Sequence, residues 1–591
     1  MVSDTTVTAR IARVVPDVTG LDKEFDYLIP PDLDAFVEVG TLVRVELHGR
    51  RIGGWVRSIT DATIEGTTSD GRPLDELKPI GKVTGRGPRP EIFELAEWAS
   101  VRWAARRIRP FLVTAGPDRA VRSLPIDRRT GMAPSPQSPA TRELLAAGGG
   151  VLRLPPRADV MPAVLAVAAA GPALVLAPEH SVALLLATRL RRAGLSVASM
   201  PGEWAAAAGG VDVVIGTRSA AWAPCPGLAA AIVIDEHDEA LQEERSPTWH
   251  ARDVVVERCR QAGVPSVLVS PAPTLVAVEE DAGDVGVVHP PAPRERAGWP
   301  TIVVVDRSDE DPWKRSLVTS PLIERIRNPE LSVVCVSNIT GRARVLACRS
   351  CRSLVRCERC DAAVGLDDAE RLACRRCGSV RPAVCQSCGA GRFANLRPGV
   401  TRLREELEAA AARPVVSVTG ADEEAPPVAD IHVGTEAVLH RVGSADVVAF
   451  LEFDSEMLAP RYRAAEQAMA LIVRAGRIAP EVLIQTFTPD HEVLAAAAVG
   501  DPERILAGER SRRRLLGLPP YGALAVVSGA GSAEMVEQLG RQQHAGLEVG
   551  GDGIDRYLVR APDWLTLGSA LNSLERPAGS RVRVEVDPPR V

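Results

Sequence analysis

Eight of the eleven cysteines fall into four Cys-x-x-Cys pairs: Cys348/Cys351, Cys357/Cys360, Cys374/Cys377 and Cys385/Cys388. Such a knuckle turns two thiolates to one side of a tight turn, at the separation a tetrahedral Zn²⁺ requires. Four pairs between residues 348 and 388 specify two closed sites of four thiolates each. Two structural zincs per chain follow, with no coordination position left open for catalysis. Disulfides are the competing reading, and a cytoplasmic protein rarely keeps them. The spacing does not fix the pairing. The inner x2–x13–x2 ribbon favours a nested set, with Cys348, Cys351, Cys385 and Cys388 on zinc 1 and Cys357, Cys360, Cys374 and Cys377 on zinc 2. A segment this short and polar depends on metal to fold. Twelve arginines against five acids over 342–397 give it a basic surface. Cys225, Cys259 and Cys335 stand alone and read as small buried apolar groups.

The second chemical feature is the stretch AAIVIDEHDEALQEE (230–244). An apolar run delivers Asp235 and Glu236 to a strand end, as in proteins whose carboxylates handle Mg²⁺ and water beside a nucleotide. A nucleotide of that kind needs a phosphate clamp: Gly-rich amides, a lysine, and a Ser or Thr for the metal. Lysine occurs only at Lys23, Lys78, Lys82 and Lys314.

The elements that must position these groups follow from hydrophobic pattern. At 591 residues the chain exceeds one core and divides into several domains. TARIARVV, TLVRVEL and IGGWVRSI predict a β-rich module near the start. PALVLAP, DVVIGT, AAIVIDE and PSVLVSP are short apolar strands alternating with helices such as HSVALLLATRLRRAG, which is the pattern of a parallel α/β domain. LSVVCVS, RPVVSVTG, ADIHVGT, ADVVAFLEF and EVLIQTF repeat that pattern with the cysteine cluster inserted. The Arg-rich helix ERILAGERSRRRLLGL and the strand SRVRVEVDP mark a small α+β C-terminal domain. The fold class expected is thus α/β multidomain.

A net charge of −6 excludes a uniformly basic nucleic-acid coat, so any such binding is local. Residues 102–129 hold eight arginines against two aspartates and read either as a basic patch or as a solvated, partly flexible linker. No apolar core follows the opening charges, and the run 160–178 is broken by Pro162 and Gly171-Pro172. Neither a signal peptide nor a membrane span is expected, and the location expected is the cytoplasm.

The order of fragments APE (177–179), GTRSA (216–220), IDEHD (234–238), HARD (250–253), SPAPT (270–274), VGTEA (433–437), RYRAAEQ (461–467) and RAGR (474–477), with the zinc array and DKEFDY (22–27), resembles the PriA family of replication restart proteins. That family is a superfamily 2 DNA helicase whose N-terminal domain binds the 3′ end of a nascent strand. The resemblance implies a 3′-end DNA-binding domain at 1–116 and a linker at 117–147 with the family's winged helix absent or reduced. It implies helicase-like (RecA-like) lobe 1 at 148–296 and lobe 2 at 297–500 with a zinc insertion at 346–392. Residues 501–591 complete the chain.

The resemblance also implies that Phe25, Asp26 and Tyr27 wall a pocket for the strand end, that Gly40 permits close backbone approach, and that Lys78 touches phosphate. An aromatic can stack on a terminal base, and a carboxylate can accept from a 3′-hydroxyl while repelling a 3′-phosphate.

The family's nucleotide motifs are altered. GGGVLRLPPRADVMPA (148–163) has no Gly-Lys-Thr, and Pro155 and Pro156 remove two amide donors. Arg157 offers charge without a compact ammonium. IDEHD has one glutamate where the family has two, SPAPT departs from the third motif, and His440 stands at a usual lysine. The finger arginines Arg474 and Arg477 remain. On this basis Asp235, Glu236, Arg474 and Arg477 are expected to be a vestigial nucleotide site with no catalytic residues, the two acids being surface carboxylates. The chain is expected to be no enzyme.

The function expected is recognition of stalled or abandoned forks and promotion of helicase reloading. Partners would be forked and single-stranded DNA, primosome and helicase-loading proteins, and single-stranded DNA-binding protein. The alternatives are an ATP-dependent 3′–5′ DNA helicase with a divergent P-loop, or a zinc-ribbon interaction scaffold.

Overall fold

The computed structural model describes residues 8–21, 23–63, 73, 76–131, 138–283, 285–308, 317–337, 346–351, 353–367, 370–374, 377–395, 400–418, 427–542, 546–551, 555–577 and 579–591. The segment SNITGRARVLAC (337–348), where the sequence replaces the arginines that the resemblance implies after the first strand of lobe 2, lies outside these residues from 338 to 345.

The alternating runs near the start form a five-stranded antiparallel sheet in the order Phe25–Leu28, Thr8–Pro16, Arg50–Thr63, Leu42–Leu47, Lys82–Gly85. Period-two alternation buries Ala12, Val14, Val43, Val45 and Val56 on one face. Helices Pro90–Arg102 and Arg109–Ala115 follow, each carrying proline in its first turn, where the missing amide costs no helical bond.

The apolar runs from 149 onward form a seven-stranded parallel sheet ordered Val287–Val288, Gly149–Arg153, Ser266–Ser270, Ala230–Ile234, Ala173–Leu176, Val213–Gly216, Val197–Ser199. Strands buried on both faces need continuous apolar sequence, and Ala230–Ile234 and Ala173–Leu176 are buried throughout. The run 160–178 is the helix Met161–Ala168 followed by the strand Ala173–Leu176. Among the described residues no helix is long and apolar enough to cross a membrane.

A second parallel sheet of six strands runs Thr301–Asp306, Glu481–Thr486, Val447–Phe450, Val333–Val336, Ile431–Gly434, Val416–Val418. The cysteine-rich segment leaves it after Val336 and returns before helix Val400–Ala411. The C-terminal sheet is antiparallel, ordered Glu548–Gly551, Arg556–Ala561, Ala523–Ser528, Arg583–Val586, with helices Ser532–Arg541 and Trp564–Ser573.

One hydrophobic core joins the N-terminal helices, one face of the first parallel sheet and the C-terminal sheet. Trp222 sits within it, stacked on Phe111 at 5.1 Å and edge-on to Trp249 at 5.7 Å. The second parallel sheet has cores of its own.

The basic stretch 102–129 is not a free linker where the structure describes it. Arg102 is 8% exposed, pairs with Asp253 at 3.0 Å and lies over the Trp564 ring at 3.6 Å. Arg128 donates its amide to the Gly210 carbonyl, and Arg129 donates from its side chain to that of Pro226 at 2.5 Å. Arg102 is neutralised by a distant lobe-1 carboxylate that sequence-local charge counting cannot register, whereas Arg106, Arg119, Arg122, Arg128 and Arg129 remain exposed.

Candidate functional site

The four sulfurs of Cys348, Cys351, Cys385 and Cys388 lie within 4.8 Å of one another, as do those of Cys357, Cys360, Cys374 and Cys377. The pairing is therefore nested. Sulfur–sulfur approaches of 3.5 Å (Cys348–Cys388, Cys351–Cys385), 3.4 Å (Cys357–Cys377) and 3.5 Å (Cys360–Cys374) are far from a bonded disulfide. They are close to the edge, about 3.8 Å, of a tetrahedron with 2.3 Å metal–sulfur arms. Short strands close the unit: Leu346–Cys348 pairs with Phe393–Asn395, bringing its two ends side by side. Gly378 and Gly389 take positive φ one residue after Cys377 and Cys388, where each knuckle turns back. The donor set fits a closed metal site.

The cleft between the two parallel-sheet lobes holds the paired acids and arginines. Asp235 caps the strand Ala230–Ile234 with φ of 56°, a left-handed conformation that Asp tolerates better than most residues. Its carboxylate accepts from both terminal nitrogens of Arg477, on the lobe-2 helix Ala464–Ile478. Burial acts to raise the Asp235 pKa, and the neighbouring guanidinium outweighs it, holding the group below the usual carboxylate range. Arg474, one turn earlier, donates to Glu179 and Asp238 of lobe 1. The His440 ring and Arg474 pull Glu179 down to about 2.

Glu236 points elsewhere. It accepts from the Thr274 amide at 2.7 Å, the Thr274 hydroxyl at 2.9 Å and Arg252 at 3.1 Å, tying IDEHD to SPAPT and HARD inside lobe 1. Asp235 is 3% exposed and Glu236 0%, so the expectation of surface carboxylates is wrong. Residues from distant motifs, Arg252 and Arg477 foremost, bury them by supplying compensating charge.

At the place of the phosphate clamp, the strand Gly149–Arg153 runs into Leu154-Pro155-Pro156-Arg157 before helix Met161–Ala168. Arg153 is buried and bonds Glu295 at 2.5 and 2.9 Å. The Pro155 ring lies where a Cβ on Gly298 would come within 2.5 Å of it.

In the N-terminal sheet, Asp26 accepts from two nitrogens of Arg13, each at 3.0 Å. Phe25 is half-buried, whereas Tyr27 is 4% exposed and donates its hydroxyl to the Glu46 carbonyl at 3.1 Å. Tyr27 therefore faces the core. Strand alternation puts Phe25 and Tyr27 on one face and Asp26 on the other. Lys78 pairs with Glu46 at 2.6 Å, and its carbonyl accepts from Leu28. Gly40 has φ of 91°, and a Cβ there would meet the Pro88 carbonyl oxygen at 1.9 Å. Its amide bonds Val56, which pairs with Val14, which pairs with Phe25. Gly40 and Phe25 thus share one level of the sheet, and Lys78 lies beyond the far end of the strand.

Sequence reasoning missed the hub that ties the C-terminal sheet to both lobes. Asp587 accepts from Arg463 at 2.7 Å and from the Tyr462 hydroxyl at 2.6 Å, while Gln242 of lobe 1 reaches the Asp587 carbonyl at 3.0 Å. Glu466 accepts from the Leu275 amide and from Arg513. The motif RYRAAEQ contained this signal, an unusual density of charge just before and at the start of the largely apolar helix Ala464–Ile478.

A sheet module leading into two parallel-sheet lobes, the second interrupted by paired four-cysteine clusters, defines a multidomain α/β protein with two candidate metal sites. A family model described as "3'DNA-binding domain (3'BD)" of PriA matches residues 13–111. Replication restart protein PriA of Bacillus subtilis is 28% identical over 398 residues, covering 60% of this chain and 49% of that protein. The Thermotoga maritima protein of the same name is 28% identical over 71% of this chain and 64% of its own length. Probable replication restart protein PriA of Mycobacterium tuberculosis is 28% identical over 87% of this chain and 85% of that protein. The chain is thus similar to PriA proteins over most of its length, at 28% identity, and to their 3′-DNA-binding domain over residues 13–111. The match spans about half of the Bacillus relative and just under two thirds of the Thermotoga one.

Solved structures that match include the Escherichia coli DEAH/RHA helicase HrpB, with a TM-score of 0.31 and 14% identity over 62% of this chain and 44% of that one. The DUF1998 helicase MrfA bound to DNA and AMPPNP matches with a TM-score of 0.31 and 12% identity over 74% and 62%. The expectation that the chain is no enzyme is corrected: its similarity to replication restart proteins PriA gives that expectation no support. That expectation rested on the altered nucleotide motifs, the missing Gly-Lys-Thr before Pro155 and Pro156 foremost, and altered motifs alone do not establish that activity is lost.

Proposed function

We propose that this protein recognises abandoned or stalled DNA replication forks by the 3′ end of the nascent strand and promotes reloading of the replicative helicase there. The observation that carries the reading is the match of the 3′-DNA-binding model to residues 13–111, which make up the five-stranded sheet and its two helices. Phe25 and Asp26 are the groups that meet the strand end, with Gly40 and Lys78 setting backbone approach and phosphate contact. Tyr27 supports Phe25 from the core. The domain division proposed is 1–116 for end binding, 117–147 as connection, 148–296 and 297–500 as the two lobes, and 501–591 at the C-terminus.

Both four-cysteine clusters hold structural zinc, and the insertion presents a basic face to the fork. The partners are forked and single-stranded DNA, primosome and helicase-loading proteins, and single-stranded DNA-binding protein, met in the cytoplasm at the nucleoid. Asp26 supplies the discriminating charge, since a carboxylate accepts from a 3′-hydroxyl and repels a 3′-phosphate.

The test is fork binding by fluorescence anisotropy with the nascent strand ending in a hydroxyl or a phosphate. The expected result is tighter binding of the hydroxyl fork by about tenfold, one charge-assisted hydrogen bond being worth roughly 1.5 kcal/mol. Asp26→Ala should abolish the preference. Equal affinity for both forks in the wild-type protein would reject the reading.

A further inference from the structure

The two four-cysteine sets are alike in chemistry and differ in how they are housed. Cys357 and Cys374 are buried within an apolar cluster made by Leu346, Val355, Ala362, Val364 and Leu372, and Cys360 and Cys377 pack against it. The same half of the insertion is fastened to lobe 2, where the Ala363 amide donates to the Leu458 carbonyl at 2.7 Å. None of Cys348, Cys351, Cys385 and Cys388 belongs to that cluster. Cys348 and Cys385 are buried, whereas Cys351 and Cys388 are exposed.

Exposure decides how such sulfurs react. A thiolate oxidises where a reagent can reach it, and one enclosed by apolar side chains is inert. The outer set also places a second reactant beside each exposed sulfur. Cys388 lies 3.5 Å from Cys348, and Cys351 lies 3.5 Å from Cys385. Each exposed thiolate thus neighbours a buried one from the opposite knuckle, and a closure of about 1.5 Å would bring either pair to bonding distance.

We propose that Cys351 and Cys388 are an oxidant-reactive modification site, at which hydrogen peroxide converts the outer set to the disulfides Cys348–Cys388 and Cys351–Cys385 and spares the inner set. The inference rests on the reading of both sets as zinc sites. The exposed thiolate attacks peroxide: a sulfur–oxygen bond forms, the oxygen–oxygen bond breaks, and the hydroxide released takes up a proton. The neighbouring thiolate then attacks the sulfenic acid. A sulfur–sulfur bond forms, the sulfur–oxygen bond breaks, and a second hydroxide leaves and is protonated to water. Each disulfide therefore consumes one peroxide and two protons, its two sulfurs giving up one electron each and the two peroxide oxygens gaining one each. Only thiolate sulfur ligates the metal, so the outer ion is released.

The choice of partners has a mechanical consequence. Leu346–Cys348 pairs with Phe393–Asn395, so a Cys348–Cys388 bond keeps the two ends of the insertion joined after the metal has gone. Bonds within each knuckle would leave them untied. The attachment of the inner half to lobe 2 is untouched, and a thiol reductant reverses the change.

The experiment treats the zinc-loaded full chain with hydrogen peroxide and follows released zinc with a metallochromic dye. One zinc per chain should leave in a first phase and the second at least about tenfold more slowly, as the exposure of the sulfurs dictates. After the first phase, alkylation under denaturing conditions and peptide mass mapping should find both cross-knuckle disulfides, with Cys357, Cys360, Cys374 and Cys377 alkylated. Reductant and added zinc should restore the lost ion. Cys357→Ser/Cys377→Ser, which keeps the outer set, should lose its zinc at the first-phase rate, and Cys348→Ser/Cys388→Ser, which keeps the inner set, at the slow one. Release of both zincs in a single phase, loss of the inner zinc first, or disulfides confined to single knuckles would overturn the proposal. A chain holding fewer than two zincs before oxidant is added would defeat the zinc reading instead, and the order in which the two sets form disulfides would still decide this one.

Discussion

Replacing Arg477 with methionine removes the cation that faces Asp235 across the lobes and leaves a carboxylate 3% exposed with no bonded cation. With charge centres about 4 Å apart and an effective dielectric of about 20, the lost attraction is on the order of 4 kcal/mol. That agrees with the roughly 3–5 kcal/mol cost of breaking one side of a buried pair. Arg477 keeps 29% side-chain exposure, so solvent returns part of this and about 3 kcal/mol is the working figure. For a unit of lobe size, about 2–4 °C per kcal/mol places the first thermal transition roughly 6–12 °C lower.

Asp235→Asn/Arg477→Met should recover much of that loss, since asparagine keeps the left-handed φ and carries no charge. The folded pKa of Asp235 is depressed, so its contribution is present above the unfolded value of about 3.9 and lost as pH falls through the lower folded value. The gap between wild type and Arg477→Met should therefore be constant from pH 6 to 8 and narrow below about pH 4. Differential scanning calorimetry of the four proteins of the cycle measures all of this. A single-variant shift under about 2 °C, or a double variant no better than the summed singles, would refute the reasoning.

Two further outcomes are expected. His250, which accepts from the Arg252 amide at 3.2 Å, is pushed down to about 3, first by burial and then by Arg252. A base with a depressed folded pKa contributes stability above its unfolded value of about 6.5 and loses it below, at up to about 1.4 kcal/mol per pH unit. His250→Asn keeps a cap and should flatten the stability profile between pH 6.5 and 5, read by urea midpoints; an unchanged slope would exclude this histidine as its source. Zinc released by a mercurial and read with a metallochromic dye should total two per chain. The nested pairing predicts that Cys357→Ser/Cys377→Ser retains one zinc and Cys348→Ser/Cys357→Ser retains none, whereas equal losses in both variants would contradict it.

The sheets were legible because double-sided burial demands unbroken apolar runs, and Ala230–Ile234, Val213–Gly216 and Ile431–Gly434 fall where those runs are. The paired cysteine knuckles were legible because metal geometry acts over a few residues. What stayed hidden is long-range. Asp235 and Arg477 are 242 residues apart, and nothing in either motif says that one neutralises the other. Glu236 turns inward because Thr274 and Arg252 wait there, and a strand-end pattern cannot distinguish an inward acid from an outward one. Tyr27 had an aromatic's usual ambiguity, and the Glu46 carbonyl resolved it by offering its hydroxyl a partner in the core. Within 102–129, left open between basic patch and solvated linker, the burial of Arg102 could not be read because its partners, Asp253 and Trp564, lie far along the chain.

The strand Val333–Val336 lies between Val447–Phe450 and Ile431–Gly434, and the cysteine-rich segment separates it in sequence from both neighbours. During synthesis this strand emerges before both its neighbours and waits for them until the insertion has passed. An insertion folded on metal brings its two ends together at the pairing of residues 346–348 with 393–395, so the interrupted sheet then closes over a short span. Without metal those ends would not be held together, and the half-built lobe would stay open to proteases and oxidants. Ion supply would then set how many working copies a cell accumulates.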